Sequence, residues 1–267
     1  MITKEELRKY FAFLDRIPEC YKTGPWSPVV HYIVLACVGF LLLSFPSAER
    51  TIEAIQHDHA SAWTQHFRLA AGLYGLLVSS AIVYYVGPWP QSSYTLTSWN
   101  LMTLRMLTAW LADAGYPSWQ YVLDMVRYPA LIGCTVTFFV WWGALVPVIL
   151  SCLHDPKQRA WFWRFNLSPS MVSIHILNFP MVAVEFILTN RLLVYFDQWM
   201  GLCVAVLYAL FYLNVLDPLG MHFYIIFTPR SAYSIISYAV VLYSYRFFFH
   251  TWNAVLGYEW YALSSLT

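Results

Sequence analysis

Seven stretches of this chain, at about 29–46, 69–87, 96–112, 129–151, 169–189, 198–216 and 232–250, approach the roughly 20 apolar residues that a helix needs to cross a bilayer. That recurrence constrains the fold more than anything else in the sequence. Inside hydrocarbon every backbone N–H and C=O must find its partner within the protein, so only helices and closed barrels cross it. The stretches lack the alternation of a barrel strand. Turn chemistry separates them, as in "VGPWPQSS" at 86–93, "GYPSW" at 115–119 and "LHDPKQR" at 153–159. The expectation is an all-α, polytopic transmembrane helical bundle of about six or seven spans. The stretch at 96–112 is the most interrupted, by Arg105. Composition agrees: 60% of residues are hydrophobic and only 11% charged, against about 25% charged in a soluble domain.

Residues 1–27 have no apolar core of the kind a secretory signal needs after its charges. Leu7, Tyr10, Phe11 and Leu14 instead predict an amphipathic helix lying in the interface. The organisation expected is an interfacial segment at 1–27, a transmembrane helical domain at 28–256 and a short tail at 257–267. With seven spans, the cations of the N-terminal segment lie on the same side as Lys157, Arg159 and Arg164 of the 152–166 loop. The positive-inside rule makes that side cytosolic or matrix.

Several function classes drop out. Net charge is +1 and there is no basic run, so no nucleic acid partner is expected. The five cysteines have no CxxC spacing and read as small buried hydrophobes. A P-loop, a GxGxxG and a GxSxG elbow are all missing, and no cofactor is expected. His57, Asp58, His59 and His66 in "HDHASAWTQH" are metal-ligand types, but they sit in an extramembrane stretch and HxH alone is common. No metal is expected there.

The chemistry-bearing residues lie at span depth. In "SIHILNFPMVAVEFILTN", 173–190, His175, Asn178, Val182 and Glu185 fall within an arc of about 80° at about 100° per residue. Ionisable groups cost roughly 2.5–3.5 kcal/mol in hydrocarbon even on lenient scales, so this face looks into the bundle. Pro180 leaves the carbonyl of Ile176 without its usual donor, which predicts a kink beside the histidine. In "SSYTLTSWNLMTLRMLT", 92–108, Thr97, Asn100 and Thr108 share a face, while Thr95, Thr103 and Thr108 are expected to bond back one turn. Periodicity does not single out Thr97. In "YALFYLNVLDPLGMHFYIIF", 208–227, Pro218 and Gly220 break the span with ordinary turn chemistry, and Tyr224 follows at the interface.

The spacings in these three stretches resemble signatures of the androgen-induced-gene/ADTRP family of multi-pass membrane lipid hydrolases. His175, Pro180 and Glu185 match its His, Pro and Glu at five and ten residues. Tyr208 to Gly220 with Met221 and Tyr224 resembles its Tyr-to-Gly interval, and Leu96, Thr97 and Asn100 its short threonine motif. The resemblance covers roughly residues 70–250. It implies an esterase of fatty-acyl esters, such as fatty-acid esters of hydroxy fatty acids, in an endomembrane such as the endoplasmic reticulum, with Thr97 as nucleophile and His175 as base. A threonine hydroxyl becomes a competent nucleophile when an imidazole takes its proton. Asn100, Asn178 and Tyr224 are candidate oxyanion donors on chemical grounds alone, and Glu185 a supporting residue. The chain departs from the family in its additional N-terminal portion, in Tyr224-Ile225 where Tyr-Pro is usual, and in lacking an Asn-His pair before His175. A second reading therefore stands beside the first: a non-catalytic lipid-binding accessory subunit of a larger membrane complex, respiratory for example, in which case the mitochondrial inner membrane is the alternative location. The partners expected are a lipid or fatty-acyl ester, membrane lipids and partner membrane subunits.

Overall fold

The computed structural model describes residues 27–44, 60–216, 223 and 234–264. All regular structure among them is helical. In chain order the helices are α1 (Ser27–Leu43), α2 (Ala62–Val86), α3 (Tyr94–Asp113), α4 (Trp119–Cys152), α5 (Pro156–Asn166), α6 (Pro169–Thr189), α7 (Tyr195–Leu216) and α8 (Ser234–Ser264). Four of them, α2, α4, α6 and α7, are long and apolar enough to cross a membrane, and Val29–Leu43 of α1 forms a shorter apolar helix. The chain is an integral membrane protein built as an all-α helical bundle.

Neighbouring helices run antiparallel. Ser98 meets Gly133 and Arg105 meets Leu123, which orders α3 against α4; Arg68 meets Asp113 and Trp99 meets Gly75, which orders α2 against α3. Without a hydrophobic drive between helices in lipid, association rests on close backbone approach at small residues. Gly133 supplies one such point: a Cβ there would meet Ser98 Oγ at 2.6 Å. Thr103 and Thr108 turn their hydroxyls back to Trp99 and Leu104, as the sequence predicted.

Four boundaries differ from expectation, each for a physical reason. α2 begins at Ala62 and α4 at Trp119, well before the apolar stretches do, because Arg68, Asp124 and Arg127 depress local hydropathy yet are ion-paired inside the bundle. The 152–166 loop contains α5, started by Asp155 accepting from Lys157 N at 2.9 Å and by Pro156 at its first position. Its Phe162 and Phe165 pack inward on one face while Lys157, Arg159 and Arg164 stay exposed. α8 continues to Ser264, into the stretch expected as a tail. Residues 1–26 of the expected interfacial segment at 1–27, with His57, Asp58, His59 and Tyr224, lie outside the described residues.

Three helices widen into π-helical turns, at Trp141–Leu145, Ser173–Leu177 and Tyr212–Leu216. Pro147, Pro180 and Pro218 follow them in sequence. A proline withholds the N–H owed to the carbonyl four residues earlier and crowds it. For the first two turns those carbonyls belong to Gly143 and Ile176, one inside each widened turn. The kink expected at Pro180 is thus accommodated as a π-turn. Such turns recur at functional sites.

Candidate functional site

At one end of the bundle, charged side chains from α2, α3, α4, α6 and α7 form a buried ionic layer. Arg68 grips Glu185 with a two-pronged contact, Nε to Oε2 and Nη2 to Oε1, both at 3.0 Å. Arg105 Nη2 adds a third bond to Glu185 Oε1 at 3.0 Å, and the Thr189 hydroxyl a fourth at 3.1 Å. Asp113 takes the other prong of Arg68 at 2.5 Å. Beside this hub, Arg127 faces Asp197 at 3.4 Å and Arg191 faces Asp124 at 3.1 Å. Arg127 also donates to the carbonyls of Arg191 and Leu192, which close α6 onto α7. Four arginines oppose Asp113, Asp124, Glu185 and Asp197, so the layer is neutral. Forked arginine–carboxylate bonds are among the stronger polar contacts, and a charge buried in such a set is bearable only while all its partners remain.

In the other half of the molecule a cavity of about 90 Å³ lies among α1, α3, α4, α7 and α8. Its wall is almost wholly apolar, with Val34, Val136, Leu145, Val206 and Leu242 among the residues that form it. Two of the π-turns contribute to it directly, through Trp141 and Tyr212. The third sits one ring behind. His175, in the middle of Ser173–Leu177, stacks on Trp141 with ring centres 4.0 Å apart and planes 20° apart. The Trp141 indole N–H donates to Asn166 Oδ1 at 3.0 Å, and Asn166 is itself tied to Phe162 O of α5 at 3.0 Å. Trp142 donates to the carbonyl of His175 at 2.9 Å, so the adjacent tryptophans clamp this turn of α6.

Each residue proposed from sequence, Tyr224 apart, now has a place. His175, Asn178, Val182 and Glu185 are all buried, at 4%, 0%, 2% and 1% exposure, so the polar face of α6 does look into the bundle. They do not form one cluster: Glu185 belongs to the ionic layer, whereas His175 belongs to the Trp141 wall. Asn178 Oδ1 accepts from the N–H of Phe179, and its Nδ2 and His175 Nδ1 are buried with no hydrogen-bond partner among the described residues. Asn100 bridges Ser79 and Gln91, at 2.7 and 2.8 Å, on the α2 side of α3. Thr97 is half-buried on the same stripe, which continues to the exposed Leu104. Among the described residues no hydrogen bond joins Thr97 to His175, and neither residue lines the cavity. His66 has no set of three ligand-type residues around it, and no such set occurs among the described residues.

Sequence reasoning missed the partners. Arg68 and Arg127 carried a signal, since each is a cation at the edge of an apolar stretch with an acid elsewhere to answer it. Trp141 carried none: one tryptophan among 13 does not announce itself in a membrane chain. No protein-family model, no curated protein and no solved structure matches the chain.

Proposed function

We propose that this integral membrane protein holds the apolar chain of a lipid in the cavity between α1, α3, α4, α7 and α8. The observation that carries this reading is the wall: a partly open space of about 90 Å³ with almost no polar surface. A water molecule needs about 10–15 Å³ and two to four polar partners, and apolar cavities of comparable size stay dry and take apolar ligands. The space extends from Val136 to Leu145 along α4 and from Ala205 to Tyr212 along α7, about 13 and 10 Å at about 1.5 Å per residue. An extended acyl chain suits that shape. In this reading the chain is a lipid-binding protein, alone or as an accessory subunit of a larger membrane complex.

The test is photolabelling. A linear fatty acid bearing a mid-chain diazirine and a terminal alkyne is expected to crosslink the wild-type chain at α4 and α7 in nanodiscs. Ala205→Trp, which places a ring in the cavity, is expected to abolish those adducts. Labelling spread evenly over lipid-facing residues in both proteins defeats the reading.

A second reading, the lipid esterase of the resemblance, has its own support. An imidazole buried in an apolar setting with Nδ1 unpartnered suits a general base, and Trp141, on which His175 stacks, also lines the cavity. It assigns Thr97 as nucleophile, His175 as base, and Asn100, Asn178, Glu185 and Tyr224 as supporting groups, in an endomembrane or the mitochondrial inner membrane. Covalent labelling by a fluorophosphonate tests it. Loss of labelling in both Thr97→Ala and His175→Ala is expected, and equal labelling of the wild type and both variants rejects it.

A further inference from the structure

We infer that Trp141 is the selectivity wall of the cavity: it confines the occupant to a single unbranched chain and keeps that chain away from His175. This rests on the lipid-binding reading above and adds the residue that sets which lipid is accepted.

Two contacts fix the ring. One face stacks on the His175 imidazole at 4.0 Å between centres. The indole N–H is spent on Asn166, which α5 holds in turn. The residue as a whole is 9% exposed and still contributes to the cavity wall. Its backbone lies in the first position of a π-turn. The indole is therefore a rigid partition with an apolar slot on one side and a buried imidazole on the other. Rigid packing resists a bulge in the occupant, because protein interiors close up at crystal-like density and yield little to an added methyl. A linear chain passes along the slot, while a chain with methyl branches must displace the ring or the facing helices. Removing the ring joins the slot to the His175 compartment and supplies the room that branches need.

The experiment uses the full chain in nanodiscs and the linear diazirine fatty acid as probe, competed by an unlabelled linear fatty acid or by an isoprenoid acid with methyl branches. In the wild type the linear competitor is expected to be about tenfold stronger or more, the range that one ill-fitting methyl or methylene commands in an apolar pocket. In Trp141→Ala the two competitors are expected to become equal within about threefold, and adducts appear on α6 between Ile174 and Asn178. Because a large core truncation can prevent folding, Trp141→Phe and Asn166→Leu accompany it. The first shrinks the ring, the second frees it, and both are expected to narrow the preference part of the way. Saturable wild-type labelling of the cavity, with the preference unchanged in whichever variants fold and no adducts on α6, overturns the role of Trp141. Absence of wild-type cavity labelling overturns the lipid-binding reading itself.

Discussion

Glu185 shows how a single side chain can be both costly and indispensable. Its carboxylate takes bonds from Arg68, Arg105 and Thr189, so removing it strands the Arg105 guanidinium inside the bundle and leaves Arg68 with Asp113 alone as counterion. Breaking a buried pair from one side costs about 3–5 kcal/mol, because the surviving charge has lost its counterion. Glu185→Ala is expected to lower the unfolding temperature in detergent markedly, with Glu185→Gln intermediate because it keeps the shape and one acceptor. An unchanged melting curve in Glu185→Ala means that the layer is no support for the bundle. His175 differs in kind. It packs against Trp141, and its value to any chemistry depends on that ring.

At the scale of the helix, closeness and irregularity are both written in small residues and prolines. Gly133 lets Ser98 approach so near that an added methyl has no room without moving α3. Overpacking of this sort costs about 1–3 kcal/mol. Gly133→Ala is therefore expected to destabilise by that amount, and Gly133→Val to fail to accumulate as a folded protein. A thermal shift within error for Gly133→Ala removes the close contact as a stabilising feature. The π-turns add a second prediction. Pro180→Ala returns a donor to the carbonyl of Ile176 and favours a regular α-turn, which rotates His175 relative to Trp141. Amide exchange over 173–180 is expected to slow, while the lipid preference set at Trp141 weakens. Faster exchange there contradicts the proline's role in the widened turn. Much of this scale was legible beforehand: the apolar helices, the punctuation between them, the polar face of α6 and the back-bonded threonines follow from periodicity and residue type, though of the six or seven spans expected four are long and apolar enough to cross among the described residues, with Val29–Leu43 shorter. α5 was not, since eleven residues with mixed character look like a loop until Phe162 and Phe165 are seen to share an inward face.

The whole molecule is polarised along its long axis. The ionic layer occupies one end, and the apolar cavity together with α5 occupies the other half. α1 starts on the α5 side, because its last turn meets the first turn of α7 through Trp199 and Tyr195. Applied to the exposed cations of α5, the positive-inside rule predicts that this end of the bundle faces the cytosol or matrix. In a Cys152→Ser background, a cysteine at position 157 is expected to react with an impermeant maleimide from one side of sealed vesicles and a cysteine at position 114 from the other. Reaction of both from the same side refutes the antiparallel α4.

Hydropathy and helical period alone determined that the chain is an integral membrane protein, that its regular structure is helical, and that one face of α6 is polar and inward. These are properties of solvent and of local geometry, and each is visible within a window of twenty residues. Which charges answer one another, that Glu185 and His175 serve separate environments, and that Trp141 divides a cavity from a buried imidazole were decided only by tertiary structure. Those relations join residues up to 117 positions apart, as Arg68 and Glu185 are. No local pattern encodes a distance of that kind, because it arises only when helices have chosen their neighbours.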